Sequence, residues 1–165
     1  MAEAEDADQL LRLAGFALAH AAWSIEDGET LCTLALIERE TERELVRYEA
    51  PSIAGSVDAA HEHLVRALSG GDRAVLIYDG YVTRDDGERH DALVAELATS
   101  GPTAAGVIVQ AYEPGRRGRI PLRRGQRVRL LGTPEVRGDF PDAAAETVLA
   151  GAREHERAAH LFGDT

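Results

Sequence analysis

Four side chains suited to acid–base chemistry fall on one expected β-hairpin, with strands at Ala74–Thr83 and Glu88–Ala98. If Asp86-Gly87 forms a two-residue turn, Thr83 pairs with His90, and the alternation of side chains decides which residues share a face. One face then belongs to the core, and the other carries Asp79, Tyr81, His90 and Glu96. Two carboxylates, a phenol and an imidazole on one face could act as general acid and base or hold a divalent ion.

Two other interpretations of this hairpin stay open. One face of an antiparallel sheet is ordinarily polar, so the four side chains could simply face solvent. A three-residue turn at Asp85-Asp86-Gly87 would shift the register by one residue and change which side chains share a face. The hairpin therefore predicts a candidate site only if its turn is two residues long.

An arginine-rich segment is the second candidate, and its chemistry is the binding of anions or acidic surfaces. It holds seven positive charges without an intervening acid, at Arg116, Arg117, Arg119, Arg123, Arg124, Arg127 and Arg129. It could contact phosphate or nucleic acid, dock on the acidic remainder of this or another subunit, or form scattered surface ion pairs. The net charge of −11 and the lack of an aromatic residue within the segment argue against a nucleic-acid partner.

Familiar catalytic motifs are missing from the sequence. All 18 basic residues are arginine, which excludes a lysine-containing phosphate loop and Schiff-base chemistry. There is no dinucleotide fingerprint, no nucleophile elbow of hydrolases and no zinc motif with paired cysteines. Cys32 is the only cysteine, and we expect it to be a small inert side chain within a strand. We expect no cofactor and no metal.

The six histidines form no local ligand set. His61 and His63 are two residues apart on an expected helix, and His155 and His160 are five apart, so the members of each pair point in different directions. We expect His61 at the border of an apolar face and His63 in solvent. No local pattern indicates a site built from histidines that are distant in sequence.

The elements that would position these residues follow from hydrophobic period and turn residues. Helices are expected at Asp8–Ala22, Ser56–Ser69 and Asp142–Leu161, with Ser56 as an N-cap. Strands beyond the hairpin are expected at Trp23–Glu26, Thr30–Glu38, Glu44–Ala50, Gly106–Glu113 and Arg127–Leu131, with a tight turn at Asp27-Gly28. This order predicts an α+β fold, a mainly antiparallel sheet of about six to seven strands with N-terminal, central and C-terminal helices on one face.

Composition predicts one domain over residues 1–165, with residues 1–6 as candidates for disorder. No apolar run approaches the roughly 20 residues that span a bilayer, and the acidic start is unlike a leader peptide. A single cysteine favours a reducing compartment, so we expect a cytoplasmic protein with no membrane contact. The absence of lysine and asparagine points to a GC-rich genome, and a salt-adapted source would also fit the net charge of −11.

The leading functional prediction is a non-enzymatic protein that acts through a protein–protein or self-association surface. Its partner would be a second copy of the chain or another protein. The polar hairpin face supports the first alternative, an enzyme or a divalent-metal-binding protein. The Arg116–Arg129 segment supports the second, a phosphate or nucleic-acid binder.

Overall fold

Three helices and seven strands make up the computed structural model, which describes residues 2–100, 105–116 and 125–163. The helices are α1 (Ala2–Ser24), α2 (Ile53–Ala67) and α3 (Ala144–Arg153), and a 3₁₀ turn follows at Ala159–Phe162. The strands are β1 (Leu34–Arg39), β2 (Glu42–Arg47), β3 (Arg73–Thr83), β4 (Arg89–Thr99), β5 (Gly106–Glu113), β6 (Arg129–Leu130) and β7 (Glu135–Gly138). The predicted α+β fold with N-terminal, central and C-terminal helices is confirmed.

All seven strands belong to one antiparallel sheet, in the order β2-β1-β3-β4-β5-β6. Both β6 and β7 pair with β5, β6 at its C-terminal end and β7 at its N-terminal end. The strands β3 and β4, of 11 residues each, form the centre of the sheet and pair along their whole length. The short β7 is a strand that the sequence did not predict.

The two faces of the sheet are covered by different helices. Val75, Ile77 and Leu93 point to one face and pack with α1 and α3, which defines the α1 face. Ala74 and Leu76 point to the other face and pack with α2, which defines the α2 face. The prediction of helices on one face only is therefore wrong, because the apolar stripe of α2 is buried on the side opposite to α1.

The C-terminal end of α1 corrects the first predicted hairpin. The helix continues to Ser24, so the strand predicted at Trp23–Glu26 does not form. Gly28 has φ of 89°, and its N–H donates to the carbonyl of Ile25 at 3.0 Å. The turn-forming Asp27-Gly28 pair therefore follows the end of a helix instead of joining two strands.

The other helices also differ from prediction at their ends. α1 begins at Ala2, so residues 2–6 are helical. Ser52 rather than Ser56 caps α2, because its side chain accepts the N–H of Gly55. α3 ends at Arg153, well before the predicted end of the C-terminal helix. Within the described ranges, no helix is both long enough and apolar enough to cross a membrane.

Two glycines bring α1 and α3 unusually close together. A Cβ added at Gly15 would overlap the carbonyl of Val148, and one added at Gly151 would overlap the carbonyl of Arg12. The two helix backbones can only touch at this point because neither glycine has a side chain. This contact fixes the position of the chain after α3, which forms one wall of the cleft described below.

Candidate functional site

The four polar residues predicted to share a hairpin face lie on two different faces. The turn has three residues, with Arg84 N–H bonded to the Glu88 carbonyl at 3.1 Å and Gly87 at φ of 78°. Thr83 therefore pairs with Arg89 and not with His90, a shift of one residue. Such a three-residue turn is a common hairpin form with glycine at its left-handed position.

The register shift leaves Asp79 and Tyr81 on the α1 face. Tyr112 of β5 donates its hydroxyl to Asp79 at 2.7 Å, and Asp91 lies near enough to act on Asp79 electrostatically. Burial, reinforced by Asp91, raises the pKa of Asp79, although the Tyr112 hydrogen bond opposes this rise. Tyr81 is 62% exposed, with the guanidinium of Arg89 stacked 3.8 Å from its ring centroid.

Glu96 lies on the α2 face, where it ties α2 to the sheet. It accepts the hydroxyl of Tyr78 at 2.8 Å, and its other oxygen bonds Nε2 of His61. His63, expected in solvent, is half-buried and bonds the hydroxyl of Tyr48 at 2.7 Å. The bonds of His61 and His63 join α2 to β4 and to Tyr48, the residue after β2. The four predicted residues therefore do not form a single site.

His90 joins a small cluster at the hairpin tip instead. Its Nε2 lies 3.3 Å from Asp86, and Glu88 is close by, with one ligand atom from each residue within 4.8 Å of the others. In the part of the chain that the structure describes, this is the only such group of three. Asp86 also accepts the N–H of Glu88, and both carboxylates are exposed, so we assign no metal to the cluster.

Three of the seven arginines in the arginine-rich segment lie in the described residues. Arg129 holds Glu113 with both ends of its guanidinium fork, at 2.7 and 3.2 Å. Arg127 pairs with Glu26 at 3.2 Å. The backbone of Arg116 bonds that of Gln126. The remaining four, Arg117, Arg119, Arg123 and Arg124, lie outside the described residues.

A cleft with aromatic walls opens between α1 and the chain that follows α3. Its volume is about 470 Å³, and its lining residues are Phe16, His20, Trp23, Glu154, His155, Glu156 and Arg157. Phe16, His20 and Trp23 recur at helical spacing, so they share one face of α1. Its lining is mainly apolar, whereas the lining of the cavity beside the β3–β4 turn is mainly polar.

Two histidines meet at the base of this aromatic cleft. Nδ1 of His20 lies 3.3 Å from Nε2 of His155, and His155 is only 8% exposed. The outer nitrogens of the pair, His20 Nε2 and His155 Nδ1, are buried, and neither bonds another residue. Buried polar atoms without partners are rare in folded proteins, which marks the pair as a functional candidate.

The charged groups that act on the pair are cationic. Burial is the main cause that lowers the pKa of His20, followed by the neighbouring His155 and by Arg47 on β2. Burial also lowers the pKa of His155, a hydrogen bond to its own backbone opposes this decrease, and Arg157 adds to it. The guanidinium of Arg157 lies 5.3 Å from the centre of the Trp23 ring. Burial and these arginines therefore favour the neutral form of both histidines, in a cleft whose lining also holds Glu154 and Glu156.

Sequence reasoning missed the aromatic cleft although part of its signal was available. The spacing of Phe16, His20 and Trp23 would have shown one helical face, had Trp23 not been assigned to a strand. His155 is 135 residues from His20, and no local pattern reports such a contact. No protein-family model, curated protein or solved structure matches the chain.

Proposed function

We propose that the protein binds a small organic anion with a flat apolar body in the aromatic cleft, and that it acts by binding rather than by catalysis. The observation that carries this proposal is a cleft with aromatic walls in which the guanidinium of Arg157 lies over Trp23 and the lining Glu154 is paired with Arg12, in a chain of net charge −11. Aromatic side chains would contact the flat part of the ligand, and Arg157 would pair with its charge.

The size of the cleft favours a small molecule over a folded partner. Pockets for small ligands usually measure about 300–1,000 Å³, and the cleft measures about 470 Å³. A stable protein interface draws on roughly 20–30 residues from each partner, whereas seven residues line the cleft. A ligand of one or two fused rings matches the volume of the cleft.

The arrangement of the histidine pair favours binding over acid–base catalysis. A general base has to reach the proton that it removes from the substrate. The inner nitrogens of His20 and His155 face each other, and the outer nitrogens are buried. The pair therefore supplies polarity at the base of the cleft and has no nitrogen open to a substrate.

Binding can be tested by NMR with naphthalenesulfonate, an aromatic anion, and naphthalenesulfonamide, its neutral analogue of nearly the same shape. Trp23 is the only tryptophan, so a single indole N–H signal reports on the cleft. We expect the anion to shift this signal in a saturable way and the neutral analogue to bind about 3–10-fold more weakly, because it lacks the charge that Arg157 would pair. An indole signal unmoved by millimolar anion would overturn the proposal.

A pair of arginine variants serves as the control for this titration. Arg157→Gln removes the guanidinium above Trp23, and we expect it to reduce the affinity for the anion to that for the neutral analogue. Arg129→Gln removes an arginine that pairs with Glu113 outside the cleft lining, and it should leave both affinities unchanged. Equal effects of the two substitutions would point to non-specific attraction by charge.

Self-association stays a prediction from the charge pattern. The edge strand β2 carries several charged side chains, a pattern typical of edges that are protected against pairing with another strand. The nucleic-acid alternative has less support, because Arg127 and Arg129 already bond acidic groups of this chain. An organic anion in the cleft is therefore the function that the geometry favours.

A further inference from the structure

We propose that the His20–His155 pair takes up a proton when an organic anion enters the aromatic cleft, so that ligand binding is coupled to pH. The inference rests on the proposed function, since it concerns the same cleft and the same class of ligand. It adds a regulatory property, namely that affinity rises as pH falls through the neutral range.

Proton counting within the pair shows where the extra proton would reside. Two neutral imidazoles carry two protons on four nitrogens, and one of these protons lies between His20 Nδ1 and His155 Nε2. One outer nitrogen then has a proton and the other has a lone pair, and neither bonds another residue. A third proton occupies that lone pair and converts the central contact into a charge-assisted hydrogen bond, which is stronger than a neutral one.

The groups around the pair oppose the binding of this third proton when no ligand is bound. The charged and titratable side chains that surround it from α1, β2 and the chain after α3 are Arg12, Arg43, Arg47, Glu154, Glu156 and Arg157. Glu154 is paired with Arg12, and Arg43 with Glu38. Arg47 and Arg157 are the charged side chains that lower the pKa of the two histidines, so they oppose a further positive charge on the pair. Glu156 is exposed and is not among the groups that shift either pKa.

A bound anion reverses this balance by its charge alone. An opposite charge within about 4–6 Å of an ionisable group favours its charged form, and the effect is strong where water is excluded. The anion would also neutralise part of the field of Arg157, which otherwise opposes protonation. No contact between the ligand and the buried outer nitrogens is needed for this coupling.

Calorimetry on the full chain measures the coupling directly. Naphthalenesulfonate stays ionised throughout the range from about pH 5.5 to 7.5, so any proton that moves belongs to the protein. Titration in two buffers with different heats of ionisation gives the number of protons taken up for each ligand bound. We expect the number of protons taken up for each ligand to reach a maximum between about 0.3 and 1 within this pH range. The affinity should rise by up to about tenfold for each unit by which pH falls.

The outcomes separate this inference from the proposed function. Saturable binding with no proton uptake at any of these pH values would overturn the inference and leave the binding proposal intact. No binding at all would overturn the proposed function, and the inference with it. An equal proton uptake by the protein on binding the neutral analogue naphthalenesulfonamide would also count against the inference, because the coupling requires the charge of the ligand.

Histidine variants assign the proton to this pair. His20→Gln keeps a hydrogen-bonding side chain but cannot take up a proton, and we expect it to bind the anion with uptake reduced to below about one third of the wild-type value. His90→Gln, at the hairpin tip, is the matched control and should keep the full uptake. If His20→Gln does not fold, histidine ring signals of the wild-type chain, followed by NMR with and without ligand, give the same answer.

Discussion

Asp79 lies on a central strand in a setting that opposes its negative charge. It is half-buried, and burial followed by the nearby Asp91 raises its pKa, while the Tyr112 hydroxyl stabilises the charged form. An acid with a raised pKa in the folded state makes the protein less stable as pH increases from the ordinary carboxyl range through the folded value. At neutral pH the protein therefore holds a charge that its fold disfavours.

Substitutions of Asp79 and of its partner Tyr112 should have opposite effects on the free energy of unfolding. Asp79→Asn removes the disfavoured charge and can still accept the Tyr112 hydroxyl, so we expect the free energy of unfolding at pH 7 to be unchanged or up to about 1 kcal/mol higher. Tyr112→Phe leaves the carboxylate with one fewer hydrogen bond and should cost about 1–2 kcal/mol. Urea unfolding measures both values.

The exposed Asp58 on α2 provides the control for these residue substitutions. Asp58→Asn should change the free energy of unfolding by less than about 0.5 kcal/mol, as is usual for surface positions. A loss of more than about 1 kcal/mol on Asp79→Asn would contradict this account, because it would show that the charge of Asp79 stabilises the fold.

At the scale of elements, the contact between α1 and α3 makes the sharpest prediction. Gly151→Ala places a methyl group against the Arg12 carbonyl of α1. Alanine favours a helix by up to about 1 kcal/mol over glycine, but overpacking against backbone costs about 1–3 kcal/mol or more. We therefore expect a net loss of about 2 kcal/mol in the free energy of unfolding, measured by thermal or urea unfolding.

Gly70→Ala is the matched control, because a Cβ at Gly70 meets no atom within 4 Å. We expect this change to be nearly neutral. Equal stability of the two variants would mean that α3 can move away from α1 without cost.

Local sequence signals predict most of the helices and strands, but they do not predict the contacts between them. The strands β3, β4 and β5 and the body of α2 follow from hydrophobic period, which depends on residues that are near in sequence. The hairpin register depended on one turn residue, and Gly87 at φ of 78° allowed a three-residue turn that moved His90 to the other face. Trp23 has a high intrinsic preference for strands, but α1 continues to Ser24, and the buried Ile25 that follows packs into the core with α1.

At the scale of the whole molecule, the histidine pair should make stability depend on pH. The pKa values of His20 and His155 are lowered in the folded protein. The unfolded chain therefore binds more protons than the folded one when pH falls below about 6.5, and stability rises with pH in that window. The contribution of the pair is complete above about pH 6.5 and is lost as pH falls through the folded values.

We expect the free energy of unfolding without ligand to fall by about 1 kcal/mol or more between pH 7.5 and 5.5. Urea unfolding at fixed ionic strength measures this fall. His20→Phe should flatten the pH dependence because it removes one of the two groups. A stability that stayed constant or rose on acidification, with the same behaviour in His20→Phe, would contradict the assignment.

The backbone contact of α1 with α3 has a consequence for the order of folding. A ribosome makes α1 before the strands that cover it, and α3 is the last long helix among the described residues. Contacts between segments far apart in sequence form late, since the loop between them must first be closed. During synthesis, the apolar side of α1 therefore stays without its final partner until the sheet and α3 have emerged, and a chaperone that recognises apolar helices would meet α1 in that interval.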